Sequence, residues 1–319
     1  MKVAVWPLRS ISNIRNELMY QTLTEISTVK LVDAKHNRLS VFRCDVLHLH
    51  WPERVLLNDK VVDIFLLAIY LFALRSFRVK ILQTLHNDPI AFHREAKNLW
   101  LYMRLVVPQI QAFIRPSVIP SESSLIESRV ISNIPLGLYP PGEVSEVVKY
   151  DYCIIGRLTR KKDICRQIEK LDLVCKASNT RGTLLICGLP ESEAYAESIR
   201  EICKGVIHIT VDLEFGRLDE SDFDRHLSSA RSVVIFNASL TNSGVMTRAI
   251  SNGIDVLTDN ESVIADARVL YGCSDRKAPG GVLLSPPKHD AKNKLIVNCS
   301  RSDGIPMKLF EVYERILGK

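Results

Sequence analysis

Two short stretches of the chain end an apolar run in histidine and follow it with polar or acidic residues. The first is Asp45-Val46-Leu47-His48-Leu49-His50-Trp51-Pro52-Glu53. Strand alternation puts Val46, His48 and His50 on one face and Leu47 and Leu49 on the other. Pro52 stops the strand, so Trp51 and Glu53 fall in the loop at its carboxyl end. A histidine and a carboxylate there, His50 and Glu53, are the residue types that take a proton from a hydroxyl. The plain alternative is a strand end whose histidines bond locally and whose Glu is solvated. The second stretch is Gln83-Thr84-Leu85-His86-Asn87-Asp88-Pro89, with His93 and Glu95 beyond it. Two strands delivering His50 and His86 to one sheet edge argue for a site more strongly than either alone. His36, His208, His226 and His289 lack such a context and read as surface or locally satisfied histidines.

Two further stretches suit an anion. Ile154-Ile155-Gly156-Arg157-Leu158-Thr159-Arg160-Lys161-Lys162-Asp163 runs from a strand into Gly156 and then four basic residues within six positions. Gly156 lets backbone approach closely, and Arg157 and Lys161 are of the type that neutralises phosphate oxygens. A basic helix start on an ordinary surface looks the same. In Val233 to Gly253, a buried strand leads to Asn242-Ser243-Gly244, which opens an amphipathic helix. Asn and Ser are good caps, and the N–H groups and dipole of a helix start attract anions. Capping alone is the simpler reading. Asp222-Phe223-Asp224 has the spelling of a metal-binding D-x-D, but it sits in an acidic helix start and reads as solvated.

The elements that carry these residues alternate short apolar runs with amphipathic segments, as in a parallel α/β sheet. Strands are expected at 3–6, 29–32, 46–50, 79–84, 112–114 and 130–134, then a break at 135–142 rich in Pro and Gly. A second set follows at 152–155, 184–187, 206–210, 233–236 and 255–257, with helices at 161–178, 190–204, 219–230 and 244–252. Domains of 1–145 and 146–305 are expected, with a C-terminal helix, 306–319, packing back on the first. Two such domains predict a cleft at the carboxyl ends of their strands. Ile64 to Leu74 is eleven residues without a charge. That is too short to span a bilayer, which takes about 20. It reads either as a core helix or as a helix resting in a membrane interface, with Arg75, Arg78 and Lys80 as a basic rim.

Composition bounds the rest. With 319 residues, 46% hydrophobic and 24% charged, the chain is of ordinary globular type, and the net charge of +6 is too weak to point to nucleic acid. The start, Met1 to Pro7, lacks the pattern of a signal peptide, and a cytoplasmic location is expected. The eight cysteines include no C-x-x-C pair, so they read as reduced core residues with no structural zinc. Neither G-x-G-x-x-G after the first strand nor G-x-x-x-x-G-K-[ST] occurs, which argues against a standard dinucleotide enzyme or P-loop NTPase.

Taken in order, His48-Leu49-His50-Trp51-Pro52-Glu53, Thr84-Leu85-His86-Asn87, Gly137-Leu138-Tyr139-Pro140, Ile155-Gly156-Arg157-Leu158-Thr159-Arg160-Lys161, Leu185-Ile186-Cys187-Gly188 and Leu240-Thr241-Asn242-Ser243-Gly244 form a pattern. It resembles that of GT-B glycosyltransferases of bacterial surface and exopolysaccharide assembly, within which it is similar to the inverting, xanthan-type β-mannosyltransferase-like enzymes. The resemblance covers about residues 40 to 260. It implies two Rossmann-like domains facing across a cleft, with nucleotide-sugar bound by the C-terminal one. Arg157 and Lys161 match diphosphate contacts, and Asn242, Ser243 and Gly244 the helix start beneath it. His50, Glu53 and His86 face the acceptor, one of them as base. The implied donor is GDP-mannose, the acceptor a lipid-linked or growing glycan, and no cofactor or metal is required. Many retaining GT-B enzymes carry two glutamates where this chain has Leu240 and Arg248, which disfavours the retaining class. The rival readings are a retaining transferase using a UDP-sugar, a catalytically inactive GT-B partner protein, and a nucleotide-sugar epimerase.

Overall fold

The computed structural model describes the whole chain except 8–19, 21, 26–27, 59, 87–89, 91–95, 118–119, 135–146, 237–242, 288–303 and 319. It divides into two compact units, Met1–Gly137 with Val297–Lys319, and Leu138–Ile296.

The first unit is built on β1 (Lys2–Trp6), β2 (Lys30–Asp33), β3 (Val46–His50), β4 (Lys80–Thr84), β5 (Ala112–Arg115) and β6 (Val130–Asn133). They form one parallel sheet in the order β2-β1-β3-β4-β5-β6. Both faces are covered, as a parallel sheet requires. On one face Leu47, Leu49 and Ile81 pack against helix α1 (Val61–Ser76) and helix α2 (Leu99–Leu105). On the other, Val3, Val5, Val46 and Leu82 pack against Tyr20, Leu23 and the last helix, which is numbered below.

Helix α1 carries apolar residues on a buried face and on an exposed one. Ile64, Leu67, Ala68, Leu71 and Leu74 recur at helical spacing and are buried. Val62, Phe65, Leu66, Ile69 and Phe72 are apolar and exposed, Phe72 by 63%. Among the described residues, no helix is long and apolar enough to cross a membrane.

The second unit carries β7 (Tyr150–Ile155), helix α3 (Ile164–Ala177), β8 (Gly182–Gly188), helix α4 (Glu193–Gly205), β9 (Ile209–Phe215), helix α5 (Glu220–Ser228), β10 (Ala230–Ile235), helix α6 (Gly244–Asn252), β11 (Asp255–Thr258), helix α7 (Glu261–Tyr271) and the hairpin β12 (Ser274–Ala278) and β13 (Gly281–Ser285). The sheet order is β12-β13-β11-β10-β7-β8-β9. It is parallel from β11 to β9, and the hairpin adds antiparallel strands at the β11 edge. Helix α8 (Ile305–Leu317) belongs to the first unit and buries Ile305, Leu309, Val312 and Tyr313 there.

One expected strand shifts and two features were not expected. The strand foreseen at 206–210 forms later, over Ile209–Phe215, where residues alternate between half-buried and exposed at the sheet edge. The β12–β13 hairpin and α7 were not foreseen, because exposed Ser274-Asp275-Arg276-Lys277 offers no apolar alternation. The break at 135–142 lies outside the described residues.

Candidate functional site

In the first unit, β3 and β4 are neighbours with His50 opposite Thr84, so His48, His50 and Thr84 share a sheet face. That face turns toward Tyr20 and Tyr313. His48 Nε2 lies 2.7 Å from Thr84 Oγ1, and His48 Nδ1 lies 2.8 Å from both the Tyr20 and Tyr313 hydroxyls. The Tyr20 hydroxyl is also 2.6 Å from His50 Nε2, and His50 Nδ1 is 2.8 Å from His86 Nε2. All of these residues are buried. Burial pushes the His50 imidazole down to about 3 and holds His48 well below the usual histidine range, with His50 adding to the effect. Both rings are therefore neutral at physiological pH. Trp51 stacks on His86 at 4.0 Å between ring centroids, and the Arg54 guanidinium covers the Trp51 ring. Trp51 adopts a left-handed φ of 54°, rare for an aromatic residue. This backbone strain turns the chain out of β3 immediately beside His50.

The structure joins His50 and His86 but keeps Glu53 apart. Glu53 lies in the first turn of the 3-10 stretch Pro52–Asn58, and its carboxyl turns inward instead of being solvated. Gln83 Nε2 donates to Glu53 Oε2 at 3.2 Å. Gln83 neighbours Thr84 on β4, so its side chain leaves the opposite face of the sheet, the one that packs against Tyr102 of α2. Glu53 Oε1, Gln83 Oε1 and the Tyr102 hydroxyl are buried without a hydrogen-bond partner. Burial pushes the Glu53 carboxyl up to about 7. The sheet thus stands between Glu53 and the histidines, so Glu53 does not share the face on which His50 and His86 meet. Tyr20 and Tyr313 were missed in sequence because no local pattern links them to residues 28 and 265 positions away. His93 and Glu95 lie outside the described residues.

In the second unit the strand order reverses between β7 and β10, which makes this the sheet's switch point. A small cavity of about 30 Å³ lies there, lined by Ile154, Ile155, Lys162, Gln167, Val234, Ser243 and their neighbours. Ser243 caps α6, its hydroxyl accepting from Met246 N at 3.0 Å, and the first turn of the helix leaves N–H groups without intrahelical acceptors. Gly156 has φ 104° and Gly188 φ 133°. A Cβ on Gly188 would sit 1.8 Å from the Gly156 carbonyl oxygen, so β8 ends here only as glycine, while at Gly156 it is the positive φ that disfavours a side chain.

The lysine at this cavity is Lys162, whereas Lys161 is exposed. Lys162 ends the 3-10 turn Arg160–Lys162, and Asp163 then takes a left-handed φ of 49° to start α3. Burial, with Arg157 adding to it, lowers the Lys162 ammonium to about 8. Arg157 itself is exposed beside it. In the run Arg160-Lys161-Lys162 the residue expected at the anion was Lys161; the turn geometry points Lys162 inward instead. Asn242 lies outside the described residues.

Asp222-Phe223-Asp224 departs from the solvated reading in its second half. Asp222 pairs with Arg225 at the surface, but Asp224 is buried. It accepts from Arg248 Nε at 2.6 Å and Arg248 Nη2 at 2.8 Å, and Glu220 also pairs with this guanidinium. Among the described residues, no group of three or more His, Cys, Asp or Glu is placed to hold a metal ion.

No protein-family model and no curated protein matches the chain. Solved structures do. HepE of Anabaena in complex with UDP-glucose aligns over 99% of this chain and 95% of its own, at 11% identity and TM-score 0.56. Sucrose-phosphate synthase of Thermosynechococcus elongatus aligns over 99% of both chains, at 11% identity and TM-score 0.58. AviGT4, a glycosyltransferase involved in avilamycin A biosynthesis, aligns over 100% of this chain and 98% of its own, at 12% identity and TM-score 0.50. The fold is GT-B. At this identity the likeness fixes the fold, and function has to be argued from the residues.

Proposed function

We propose that the protein is a glycosyltransferase that moves a sugar from a nucleoside-diphosphate sugar to a hydroxyl of a lipid-linked or growing glycan. The observation that carries this reading is the cavity at the β7–β10 switch point, where the Lys162 ammonium and the start of α6 converge. A cation and a helix N-terminus in a partly dry cavity stabilise a diphosphate, and more so as its charge grows on leaving. Arg157 beside Lys162 adds a second cation. The fold shared with HepE, a protein solved with UDP-glucose, and with AviGT4 supports the same reading. The first unit, for its part, presents His86 at the edge of its histidine cluster, a residue of the type that takes a proton from an acceptor hydroxyl. In this scheme the displacement inverts the anomeric centre and the protein provides the positive charge without a metal. The base is guanine by the resemblance to mannosyltransferases; the HepE complex favours uracil.

The exposed apolar stripe of α1 supports a further part of the proposal, that this unit rests on an anionic lipid surface. Phe65, Leu66, Ile69 and Phe72 would enter the interface, with Arg75, Arg78 and Lys80 at the phosphate level. A lipid-linked acceptor would be met there.

A thermal-shift screen against GDP-, UDP-, CMP- and dTDP-sugars, with and without EDTA, tests the donor site. A ligand that binds only the native state raises the melting temperature. One base should do so independently of EDTA, and less in Arg157→Ala. No shift with any donor would move the reading to an inactive partner protein. Conversion of the free donor without acceptor would indicate an epimerase, and the anomeric form of the product separates inverting from retaining transfer.

A further inference from the structure

The buried stripe of α3 reads Ile164, Gln167, Ile168, Leu171, Val174 and Cys175, and Gln167 stands out in it. It is 4% exposed, where glutamine is seldom found. A leucine or methionine would fill the same space without burying an amide, so the amide needs partners. It has two, on different elements. Gln167 Nε2 donates to the Lys162 carbonyl at 2.7 Å, and Gln167 Oε1 accepts from the Phe236 backbone N–H at 3.1 Å. The orientation of the amide is fixed by these partners, because a carbonyl oxygen can only accept and a backbone N–H can only donate.

Both backbone groups lie just outside regular structure. Phe236 follows β10, whose ladder with β11 ends at Ile235 opposite Thr258. Lys162 ends the 3-10 turn Arg160–Lys162, ahead of α3. The backbone N–H of Gln167 bonds to the Asp163 carbonyl as well, so one residue grips the chain at both 162 and 163. That is the point where Asp163 takes its left-handed φ of 49° without capping α3 through its side chain. A non-glycine residue keeps such a conformation only where its surroundings hold it there. The grip also works against a pull. Burial and Arg157 disfavour the charged Lys162, so its ammonium would gain by turning out to water as Lys161 does.

We propose that Gln167 is a positioning residue of the donor site: its side-chain amide ties the Arg160–Lys162 turn to the end of β10 and so holds the Lys162 ammonium at the cavity, where it meets the diphosphate. The part played by the diphosphate rests on the transferase reading; the placing of Lys162 does not.

The test uses the full chain labelled with 13C-lysine, the Lys162 signal being the one lost in Lys162→Met. In the native chain this signal should titrate at about 8. In Gln167→Met, of similar length and without the amide, it should move toward the ordinary 10.5. Gln167→Asn keeps an amide on a stem too short to span both partners. It should do the same and serves if Gln167→Met does not fold. Calorimetry with UDP and GDP at pH 7 should show either variant losing about 10- to 100-fold in affinity, as expected of Lys162→Met itself. Added to Lys162→Met, Gln167→Met should cost less than about two-fold more, since it acts through the lysine. A folded variant whose Lys162 still titrates near 8 would overturn the proposal, and so would a native Lys162 that titrates at 10.5. Losses that add in full in the double variant would overturn the route through Lys162. If neither UDP nor GDP binds the native chain, the transferase reading loses its donor site, and the titration alone decides whether Gln167 places the lysine.

Discussion

Lys162 is where the cost of a binding site can be worked out. Its ammonium titrates at about 8 against 10.5 for an ordinary lysine. At about 1.4 kcal/mol per pH unit, holding the charge in the empty cavity at pH 7 costs on the order of 3 kcal/mol. The unfolded chain keeps this proton up to 10.5, whereas the folded chain releases it near 8. Between those values the unfolded state binds more protons, so stability rises with pH through that window and is lowest below it. Lys162→Met removes the charge while keeping an apolar chain of similar reach. We expect the ligand-free protein to melt higher at pH 7 by about 6–12 °C, at about 2–4 °C per kcal/mol for a unit of this size. Its gain in stability between pH 8 and 10 should disappear.

Nucleotide binding should move the other way. A charge-assisted hydrogen bond to phosphate is worth about 1.5–3 kcal/mol, so the variant should weaken nucleoside diphosphate binding by about 10- to 100-fold. Lys161→Met, at an exposed position, should do neither. Differential scanning fluorimetry with and without nucleotide, at pH 7 and 9.5, reads both effects. A ligand-free Lys162→Met protein that melts lower, with its nucleotide shift intact, would refute the reasoning and return the role to Lys161 or Arg157.

Other outcomes follow from the same structure. His86→Ala should lower transfer by about 10²–10⁴-fold while nucleotide still raises the melting temperature; loss of both together would show that the histidines act on folding. Glu53 titrates at about 7, above the ordinary 4.5, so stability is full below pH 4.5 and falls as pH rises toward 7. Glu53→Gln should flatten that slope in denaturant titrations and stabilise the protein at pH 8 by up to about 3 kcal/mol. Gly188→Ala forces a Cβ onto the Gly156 carbonyl and should leave little folded protein by circular dichroism. Phe72→Asp with Ile69→Asp should abolish flotation with anionic liposomes without lowering the melting temperature; unchanged flotation would rule out this face of α1 as the lipid contact.

The sheets were legible because their strands are apolar on both faces, so Val46–His50 and Lys80–Thr84 announce themselves without tertiary information. The β12–β13 hairpin was not, since an edge strand made of Ser, Asp, Arg and Lys has the composition of a loop and is held by its neighbour alone. At the site, strand alternation correctly placed His48 and His50 together. It failed one residue after the strand, where the left-handed Trp51 redirects the chain and takes Glu53 through to the other side of the sheet. The lysine that lines the cavity is Lys162, not the expected Lys161, for a related reason. In a run of three basic residues the choice depends on a 3-10 turn ended by a left-handed Asp163, and no periodicity encodes that.

Arg248 illustrates how one residue type supports different inferences at the two levels. In sequence it mattered as the absence of a glutamate on α6. In the structure it is a tie: its guanidinium holds Asp224 through two bonds, pairs with Glu220 and lies 4.7 Å over the Phe223 ring, fastening α5 to α6. A buried carboxylate deprived of such a partner costs about 3–5 kcal/mol. Arg248→Glu would therefore set a carboxylate against Asp224 and Glu220, so restoring the glutamate alone should unfold this unit before it could create a retaining site. With Asp224→Arg added, the pair would be re-formed in reverse and folding should return. Recovery of the melting temperature in the double variant, but not in Arg248→Glu, would identify the position as structural here. It would also leave α6 contributing its N-terminus, and not an acidic side chain, to the chemistry.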